Sequence, residues 1–514
     1  MTHTHVTPEK LPHDPAPKNF RVLLVYTNHM FVNVLPSSIG ILTACLRNNG
    51  FEVGLFDTTF YQTTDRAPEE VRVETLQVRK FDLSTVGINV KPGNYTQEFA
   101  AAVDAFKPDL IGISCVEETF FQVLAMLEAI RGSGIPTIVG GIFTTMAPEL
   151  ALAQEDINTI CVGEGEHALI ELCYRLWRKQ DISDIRNLWL KRDGQIIRNP
   201  LRPPIDLEDV PFADWTLFEQ ERFYRPMQGK VMRMLSMEFD RGCPFQCRFC
   251  CAPSLSALYR EQTGEAYLRI KSLDRIRREF EHFTSVYKPE YYYFNSETFL
   301  AMGDEAFEQF AEMYRAFGLP FWMQTRVETI TEKKIRILES MNCNRISFGI
   351  EHGNEEFRRK ILKKNFTNQE AIEKLGLFRN SSIPITVSNI VGFPGETREL
   401  IFDTIELSRQ LPADSFNCFY YSPFRGTSLF KEAAEKGYIG KDHTFARSLL
   451  SEPNMELPTI SRQELMGLVR TFSLYVRFPK EEWPLIRRAE SFDDEGNRVF
   501  EQLTELYYER FFNK

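Results

Sequence analysis

Three closely spaced cysteines, Cys243, Cys247 and Cys250, are the residues of this chain best suited to chemistry. Their C-x3-C-x2-C spacing puts three thiolates on a tight turn, directly after an apolar run at 234–239. Four cysteines close a 4Fe–4S cluster for electron transfer, whereas three leave one iron open to bind another molecule. A zinc site would need a fourth tetrahedral ligand, which adjacent Cys251 is poorly placed to supply, so zinc would require a distant ligand. A disulfide pair with a spare thiol is the remaining alternative, and it suits an oxidising compartment.

This motif, with Phe249 just before its last cysteine, resembles the signature of the radical SAM superfamily. In that family the open iron binds the amino and carboxylate groups of S-adenosylmethionine (SAM). One electron from the cluster then cleaves SAM to a 5′-deoxyadenosyl radical. The resemblance implies that the chain is an enzyme and that Cys243, Cys247 and Cys250 hold a 4Fe–4S cluster.

Length and composition limit the other possibilities. A chain of 514 residues predicts two domains or more, and 43% hydrophobic and 26% charged residues are ordinary for a globular protein. A formal net charge of −10 argues against a nucleic-acid partner. The polar segment at 1–19 predicts a flexible tail without the apolar core of a signal peptide, and no apolar stretch is long enough to predict a membrane span.

The seven cysteines outside the motif mostly lie in apolar runs, such as 111–116. Free cysteine commonly behaves as a small buried hydrophobe. We therefore expect reduced thiols and a cytoplasmic location, which an oxygen-sensitive cluster would also require.

Residues 20–184 predict a doubly wound, Rossmann-like α/β domain, because short apolar runs alternate with helical patterns. An insertion at 61–91 interrupts the alternation. The predicted strands are 21–26, 51–57, 110–114, 137–140 and 159–162.

Sheets of this type bind ligands at the carboxyl ends of their strands. The segments 36–42, 140–141 and 162–166 resemble the cobalamin-binding domain that precedes the radical SAM core in a subfamily that includes the class B radical SAM methyltransferases. The glycines there could equally serve tight strand-to-helix turns. The cobalamin contacts that the resemblance implies are Asn28, Ser37, Ser38, Glu117, Thr119, Gly140, Gly141, Gly163, Glu164 and Gly165.

Two departures from the cobalamin-binding pattern bear on cofactor binding. The Asp-x-His-x-x-Gly motif is absent, which would leave cobalt without that histidine ligand. Phe143 stands where relatives often have histidine. Such domains can also persist without cobalamin.

Residues 185–233 predict a linker with a hairpin, since Asp193-Gly194 is a turn signal between two apolar runs. A proline-rich run at 200–211 follows, and Asp214-Trp215 could pack one domain on the other.

Residues 234–424 predict six βα units and therefore a partial (β/α)6 TIM-like barrel, with chemistry at the carboxyl ends of the strands. Residues 425–514 are predicted to be mainly helical and, in relatives, this region closes the barrel. The six predicted strands are 235–239, 291–294, 321–325, 345–350, 385–391 and 416–421.

Several residues at these strand ends match the SAM-binding segments of the family. Asn-Ser-Glu at 295–297 replaces the usual Gly-Gly-Glu but keeps the carboxylate for the SAM amino group. The resemblance assigns ribose contacts to the fourth strand, the SAM carboxylate to an arginine after the third, and adenine to the turn after the fifth. The alternative for each residue is a structural ion pair or loop turn. The implied SAM-binding residues are Phe249, Asn295, Ser296, Glu297, Arg326, Ser347, Glu351, Gly392 and Pro394.

The resemblance as a whole implies a cobalamin-dependent radical SAM enzyme. The reaction we expect is methylation of an unactivated carbon of a small molecule, lipid or peptide, through a 5′-deoxyadenosyl radical and methylcobalamin. A reducing partner such as flavodoxin or ferredoxin would supply electrons. The alternatives are radical cyclisation, rearrangement or oxidation, with cobalamin in another role or absent, and a corrinoid or iron–sulfur sensor.

Overall fold

Two seven-stranded β-sheets dominate the computed structural model, which describes residues 19–440 and 450–512. Apart from Asn19, the predicted tail at 1–19 lies outside these residues. The fold class is the predicted one: an amino-terminal α/β domain, a half-barrel and a helical carboxyl-terminal region. No helix within the described ranges is long and apolar enough to cross a membrane.

The first sheet contains all five strands predicted for the first domain. Its strands are β1 (Arg21–Tyr26), β2 (Glu52–Asp57), β3 (Leu110–Ser114), β4 (Thr137–Gly140), β5 (Thr159–Cys161), β6 (Leu188–Arg192) and β7 (Gln195–Arg198). Their order is β2-β1-β3-β4-β5-β6-β7, and β1 to β5 are parallel. Strand β2 is added on one side of β1 and strands β3 to β5 on the other. Sheets of this type bind ligands at the point between β1 and β3 where this direction changes.

Helices cover both faces of this sheet, and their apolar stripes explain why they form there. The helices are α1 (Ser37–Asn48), α2 (Pro68–Glu74), α3 (Tyr95–Phe106), α4 (Phe120–Ala129), α5 (Ile142–Met146), α6 (Pro148–Leu152) and α7 (Glu166–Trp177).

The hairpin predicted for the linker is instead part of the first sheet. β6 pairs antiparallel with β5, and β7 pairs antiparallel with β6. This pairing gives hydrogen-bond partners to the backbone N–H and C=O groups along the edge of β5, which would otherwise be unpaired.

The second sheet is a half-barrel that includes the six predicted parallel strands. Its strands are β8 (Tyr224–Met227), β9 (Lys230–Glu238), β12 (Tyr291–Asn295), β13 (Phe321–Thr325), β14 (Cys343–Glu351), β15 (Ile385–Val391) and β16 (Ser415–Tyr420), with β10 (Asp240–Arg241) and β11 (Arg269–Ile270) forming a separate pair. The order is β16-β15-β14-β13-β12-β9-β8. β8 pairs antiparallel with β9, so the strand begins at Lys230, before the predicted boundary at 234.

Helices follow the strands in the expected alternation, and three more form the carboxyl-terminal region. Those of the half-barrel are α8 (Ala252–Thr263), α9 (Leu273–Tyr287), α10 (Asp304–Tyr314), α11 (Glu332–Ser340), α12 (Glu355–Phe357), α13 (Asn368–Gly376), α14 (Arg398–Gln410) and α15 (Ser428–Glu435), and those after it are α16 (Arg462–Arg477), α17 (Trp483–Ala489) and α18 (Asp494–Tyr507).

The two sheets are joined through Trp215, as the sequence suggests. Its side chain is 1% exposed and its indole N–H donates to Pro36 O at 3.1 Å. Its backbone N–H donates to the hydroxyl of Tyr287 on α9 at 2.9 Å. Asp214 N donates to Gly40 O at 2.9 Å. One tryptophan therefore anchors α1 of the first domain to α9 of the second.

The insertion predicted at 61–91 covers the free edge of the half-barrel. The amide of Gln77 accepts from Cys418 N at 3.0 Å and donates to Cys418 O at 3.2 Å. A side-chain amide thus replaces the strand partner that β16 lacks and blocks edge-to-edge pairing.

Candidate active site

The three motif cysteines lie on the turn that follows β9 and β10, at the carboxyl ends of the half-barrel strands. Gly242 opens this turn with φ 100°, and a Cβ there would lie 3.0 Å from Leu268 Cα, so only glycine fits. All three thiols are partly buried. Burial raises the pKa of Cys243 and Cys247, and a hydrogen bond with Cys251 together with burial raises that of Cys250.

The described residues do not form a site for a single metal ion around these thiols. Across residues 19–440 and 450–512, no group of three or more His, Cys, Asp or Glu side chains is placed to hold one metal ion. A zinc site would need such convergence. A cubane cluster has no such need, since each thiolate binds a different iron.

Two buried cations lie against the cysteine turn. Arg326 Nη1 is 3.1 Å from Cys247 Sγ, and its guanidinium lies 3.8 Å from the centre of the Phe245 ring. Lys364, 3% exposed, lowers the pKa of Cys247, as does Arg326, although burial outweighs both. Their positive charges stabilise a thiolate, and they would stabilise a negatively charged cluster. Lys364 was not anticipated, because a lone lysine in a loop carries no spacing signal.

Lys364 also orients one predicted SAM contact. Its ammonium donates to Gly349 O at 2.7 Å and to Glu351 Oε1 at 3.0 Å. Glu351 has φ 67°, a conformation that non-glycine residues adopt only under constraint. The end of β14 is therefore held in a specific geometry beside the cysteine turn.

Glu297 follows β12 and belongs to the same site. Burial raises the pKa of its carboxyl group, and its charge in turn raises the pKa of Cys243 and Cys250. A carboxylate placed beside thiolates is unfavourable unless a cation joins them. The ammonium of SAM would provide that cation.

Asp240 is a second acidic residue at this site, and sequence reasoning missed it. The Ser296 hydroxyl donates to Asp240 Oδ2, while Oδ1 is buried without a hydrogen-bond partner among the described residues. Burial raises the pKa of Asp240 to about 6. A single aspartate in the two-residue strand β10 has no recognisable spacing.

One cavity of about 650 Å³ connects the first domain to the cysteine turn. Apolar side chains of α1, β3 and β4 form much of its wall. The predicted residues that line it are Ser38, Gly140, Gly141, Gly163, Glu164 and Gly165 from the first domain, and Asn295, Ser296 and Glu297, with Cys250, from the second.

The glycines at this wall fit a large flat ligand. Gly141 has φ 112°, and a Cβ there would lie 2.2 Å from Cys115 O. Gly163 has φ 82°, and its Cβ would lie 2.6 Å from the Tyr259 hydroxyl. Both therefore serve tight turns, and both leave bare backbone facing the cavity. A wide apolar cavity with a backbone wall suits the corrin ring of cobalamin.

Four predicted cobalamin contacts lie away from this cavity. Asn28 donates to Val32 O at 2.7 Å and Thr59 Oγ1 at 2.9 Å, and the Thr119 hydroxyl pairs with that of Thr27 at 2.7 Å. Glu117 accepts from Arg425 N at 2.9 Å. Ser37 faces a separate small recess beside Trp215. Asn28, Glu117 and Thr119 thus follow strands but point to internal partners, whereas Ser37 begins α1 and its hydroxyl is buried without a hydrogen-bond partner among the described residues.

Ser347 is also separated from the other predicted SAM contacts. Its hydroxyl accepts from Trp322 Nε1 at 2.8 Å and lines a second cavity. The turn after β15 does adjoin the cysteine turn. Phe393, between Gly392 and Pro394, lies 6.2 Å from Phe249 between ring centres, and Gly392 N and Phe393 N both donate to Glu396.

Phe143, which stands where relatives often have histidine, does not line the large cavity. Its ring is 2% exposed and packs 4.4 Å from the Phe120 ring. This position is part of the core of the first domain.

Glu164 links the two domains at the cavity wall. It pairs with Arg241 Nη1 at 2.8 Å and Arg269 Nη2 at 2.7 Å. Burial opposes ionisation, but the two arginines hold the pKa of Glu164 below its usual range. The same Arg241 pairs with Glu166 at 2.7 Å, so the cysteine turn is tied to the first domain.

Comparison with known proteins agrees with this arrangement. Residues 237–408 match the radical SAM superfamily and residues 25–173 match the B12 binding domain. The chain is 24% identical over 422 residues to an uncharacterized methyltransferase of Pyrococcus horikoshii, covering 80% of this chain and 88% of that protein. It is 25% identical over 389 residues to the anaerobic magnesium-protoporphyrin IX monomethyl ester cyclase of Rubrivivax gelatinosus, covering 73% and 66%.

A solved structure has the same fold over nearly the whole chain. The radical SAM methyltransferase TsrM from Kitasatospora setae, with cobalamin and a [4Fe-4S] cluster bound, superposes with a TM-score of 0.63 at 16% identity. The match covers 95% of this chain and 99% of that one. The two proteins therefore share the overall fold.

Proposed function

Because the chain belongs to the radical SAM superfamily and carries a B12 binding domain ahead of its radical SAM domain, we propose that it is a methyltransferase acting on an unactivated carbon. Its cofactors are a 4Fe–4S cluster, SAM and cobalamin. The observation that carries the proposal is the single cavity of about 650 Å³ that both the glycine turns and the cysteine turn line. When bound, cobalamin supplies a transferable methyl group, and the cluster supplies the electron that cleaves SAM.

In this proposal, different groups of residues around the cavity have different roles. Cys243, Cys247 and Cys250 hold the cluster, while Arg326 and Lys364 stabilise its negative charge from one side. Burial of these cations keeps water away from the thiolates and strengthens the attraction.

SAM is placed by residues at the strand ends. The carboxylate of Glu297 binds the SAM ammonium, since it faces the cavity and lies among acidic and thiol groups. Glu351, held by Lys364, is placed for a ribose hydroxyl, and Phe249 with the Gly392–Pro394 turn forms an apolar edge for adenine.

The corrin ring rests on the first domain. Gly140, Gly141, Gly163 and Gly165 give it a backbone wall, and Ser38 offers a hydroxyl at the same surface. The substrate carbon would then lie in the cavity that residues of both domains line.

The substrate class we propose is a small molecule, lipid or peptide, with a flavodoxin or ferredoxin as electron donor. A cytoplasmic location follows from the reducing conditions that the cluster needs. Radical cyclisation is a second candidate function, favoured by the similarity to a protein named as a cyclase.

The test uses protein expressed with cobalamin and purified without oxygen. Corrinoid and iron contents are measured first, and the enzyme is then incubated with methyl-deuterated SAM, a reductant and fractionated cell extract. Methyl transfer predicts S-adenosylhomocysteine and 5′-deoxyadenosine in equal amounts, with deuterated methyl in a product. Formation of 5′-deoxyadenosine without S-adenosylhomocysteine would favour cyclisation, and failure to bind corrinoid after reconstitution would exclude cobalamin-dependent methyl transfer.

A further inference from the structure

A second cavity, of about 120 Å³, lies inside the half-barrel at the amino-terminal ends of its strands. It shares no lining residue with the large cavity at the opposite strand ends. Chemistry in barrels occurs at the carboxyl ends, so this cavity is separate from the cofactor site. It opens beside the exposed Gln228-Gly229 turn between β8 and β9.

The charges that line this cavity are unbalanced. Four arginines and only two carboxylates contribute to its wall, and no lysine or histidine does. Both carboxylates are already paired: Glu69 with Arg72 at 2.8 Å, and Asp414 with Arg345 and, at 3.8 Å, Arg79. Of the four lining arginines, Arg225 is the one that forms no ion pair with either lining carboxylate.

Arg225 has aromatic neighbours, but the described residues offer its Nη1 no hydrogen-bond acceptor. Its guanidinium lies 5.0 Å from the centre of the Trp322 ring and 5.8 Å from that of Tyr293. Its Nη1 is shielded from solvent and donates to no acceptor within residues 19–440 and 450–512. Burial lowers the pKa of Arg225, and the nearby charge of Glu69 only partly offsets this effect.

A second donor in the same cavity is also unsatisfied. Arg72 Nε is buried without an acceptor within the described part of the chain, although its other nitrogens bind Glu69 and Asn417. Ser347 lines the cavity too. Because its oxygen accepts from Trp322 Nε1, its own proton can be donated to a ligand.

The rest of the wall is rigid. Arg345, 7% exposed, donates to Thr386 Oγ1 at 2.7 Å and to Ser415 Oγ at 3.2 Å in addition to its ion pair. These bonds join three neighbouring strands beneath the cavity. Of the proposed ligands, Arg72 is held by Glu69 and Asn417 and Ser347 by Trp322 before any anion arrives, which favours binding.

We propose that this cavity binds a small oxyanion, the carboxylate or phosphate group of a ligand, through Arg225, Arg72 and Ser347. Buried donors without acceptors are rare in proteins, and an anion would satisfy both guanidinium nitrogens at once. The aromatic rings behind Arg225 fix the plane of its guanidinium and leave its nitrogen-bearing edge for the anion.

The probe is inorganic phosphate, titrated into anaerobically purified holoprotein at constant ionic strength made up with chloride, with thermal unfolding as the readout. A specific site predicts a saturable rise in Tm, since a ligand that binds only the folded state stabilises it by mass action. A rise that increases without saturation is the general effect of an excluded salt and would overturn the proposal.

Substitution Arg225→Gln should weaken phosphate binding at least about thirtyfold, because one partner of a buried charge-assisted contact is lost. Arg198→Gln is the matched control, since Arg198 also lies over a tryptophan, 5.2 Å from the Trp189 ring, but in the first domain. Equal saturable binding in the Arg225 variant would overturn the assignment.

If Arg225→Gln does not fold, Ser347→Ala provides the test, with phosphate binding expected to fall several-fold. Because Trp322 Nε1 loses its acceptor in this variant, affinity is compared at the variant's own, lower Tm without phosphate. Unchanged affinity in that variant would contradict the assignment of Ser347. Titration with acetate distinguishes the two sources of the anion: tighter binding of phosphate assigns a phosphate group, and tighter binding of acetate assigns a carboxylate. Binding of neither would overturn the proposal.

Discussion

Glu164 of the first domain and Arg241, two residues before the first motif cysteine, form an ion pair of 2.8 Å across the domain boundary. Their side chains are 11% and 12% exposed, so the pair is largely shielded from solvent. Arg269 joins the same carboxylate at 2.7 Å. This network determines where the cysteine turn sits relative to the glycine turns.

Replacing Glu164 by Gln should destabilise the protein by about 1–3 kcal/mol, less than the loss of an isolated buried pair because Arg241 keeps Glu166. Denaturant unfolding of the anaerobically purified protein measures the change. Glu149→Gln is the matched control, since Glu149 makes only an exposed contact of 3.7 Å with Arg198. We expect that variant to stay within about 0.5 kcal/mol of wild type. An equal loss in both would contradict a special role for Glu164.

The same network predicts a pH dependence. The arginines hold the pKa of Glu164 below that of an unfolded glutamate, about 4.3. The unfolded state therefore takes up a proton first as pH falls, and the stabilisation present above pH 4.3 is lost below it. The unfolding midpoint of wild type should thus fall more steeply between pH 5 and 3 than that of Glu164→Gln. Parallel curves would show that Glu164 titrates alike in both states.

Replacing Cys243, Cys247 and Cys250 together with Ala should abolish cluster uptake and reductive cleavage of SAM. The first domain should still fold and retain corrinoid, because the three motif cysteines are not among the buried residues of the hydrophobic core. Iron content, 5′-deoxyadenosine formation and corrinoid absorbance measure the three outcomes. Cys251→Ala is the control and should keep the cluster. Reductive SAM cleavage by the triple variant would disprove the cluster assignment.

Gly141→Ala should reduce bound corrinoid about tenfold or more while the cluster is retained. A Cβ at φ 112° and 2.2 Å from Cys115 O forces the backbone wall to move, at a strain of about 1–3 kcal/mol. Gly87→Ala separates conformational strain from crowding, since Gly87 also has a positive φ, 82°, but no atom within 4 Å of the added Cβ. Corrinoid retained at wild-type stoichiometry in Gly141→Ala would place the cofactor elsewhere.

Glu297→Gln should weaken SAM binding about ten- to hundredfold, the effect of losing one hydrogen bond to a charged group. Equilibrium dialysis with SAM on cluster-loaded protein gives the affinity. Glu305→Gln, on the exposed start of α10, is the control. Unchanged affinity in Glu297→Gln, with the cluster intact, would remove Glu297 from the SAM site.

Local sequence pattern was enough to predict the fold. Apolar runs of strand length marked the eleven parallel strands, and alternation with helical periodicity identified a doubly wound domain followed by a half-barrel. The cysteine spacing located the turn that we propose holds the cluster, because the three proposed ligands lie within eight residues. Apolar runs and periodicity extend over a few neighbouring residues, so they can be recognised in the sequence without the tertiary structure.

Side-chain direction at the strand ends was decided by tertiary contacts alone. Glu117 and Ser347 both stand on or after parallel strands, yet Glu117 binds Arg425, 308 residues away, and Ser347 faces the second cavity. Asp240, Lys364 and Arg225 carry no spacing signal, and their importance comes from the partners that the fold brings or fails to bring to them. A charge is costly only where it is buried, and burial of a single side chain depends on the whole assembled structure.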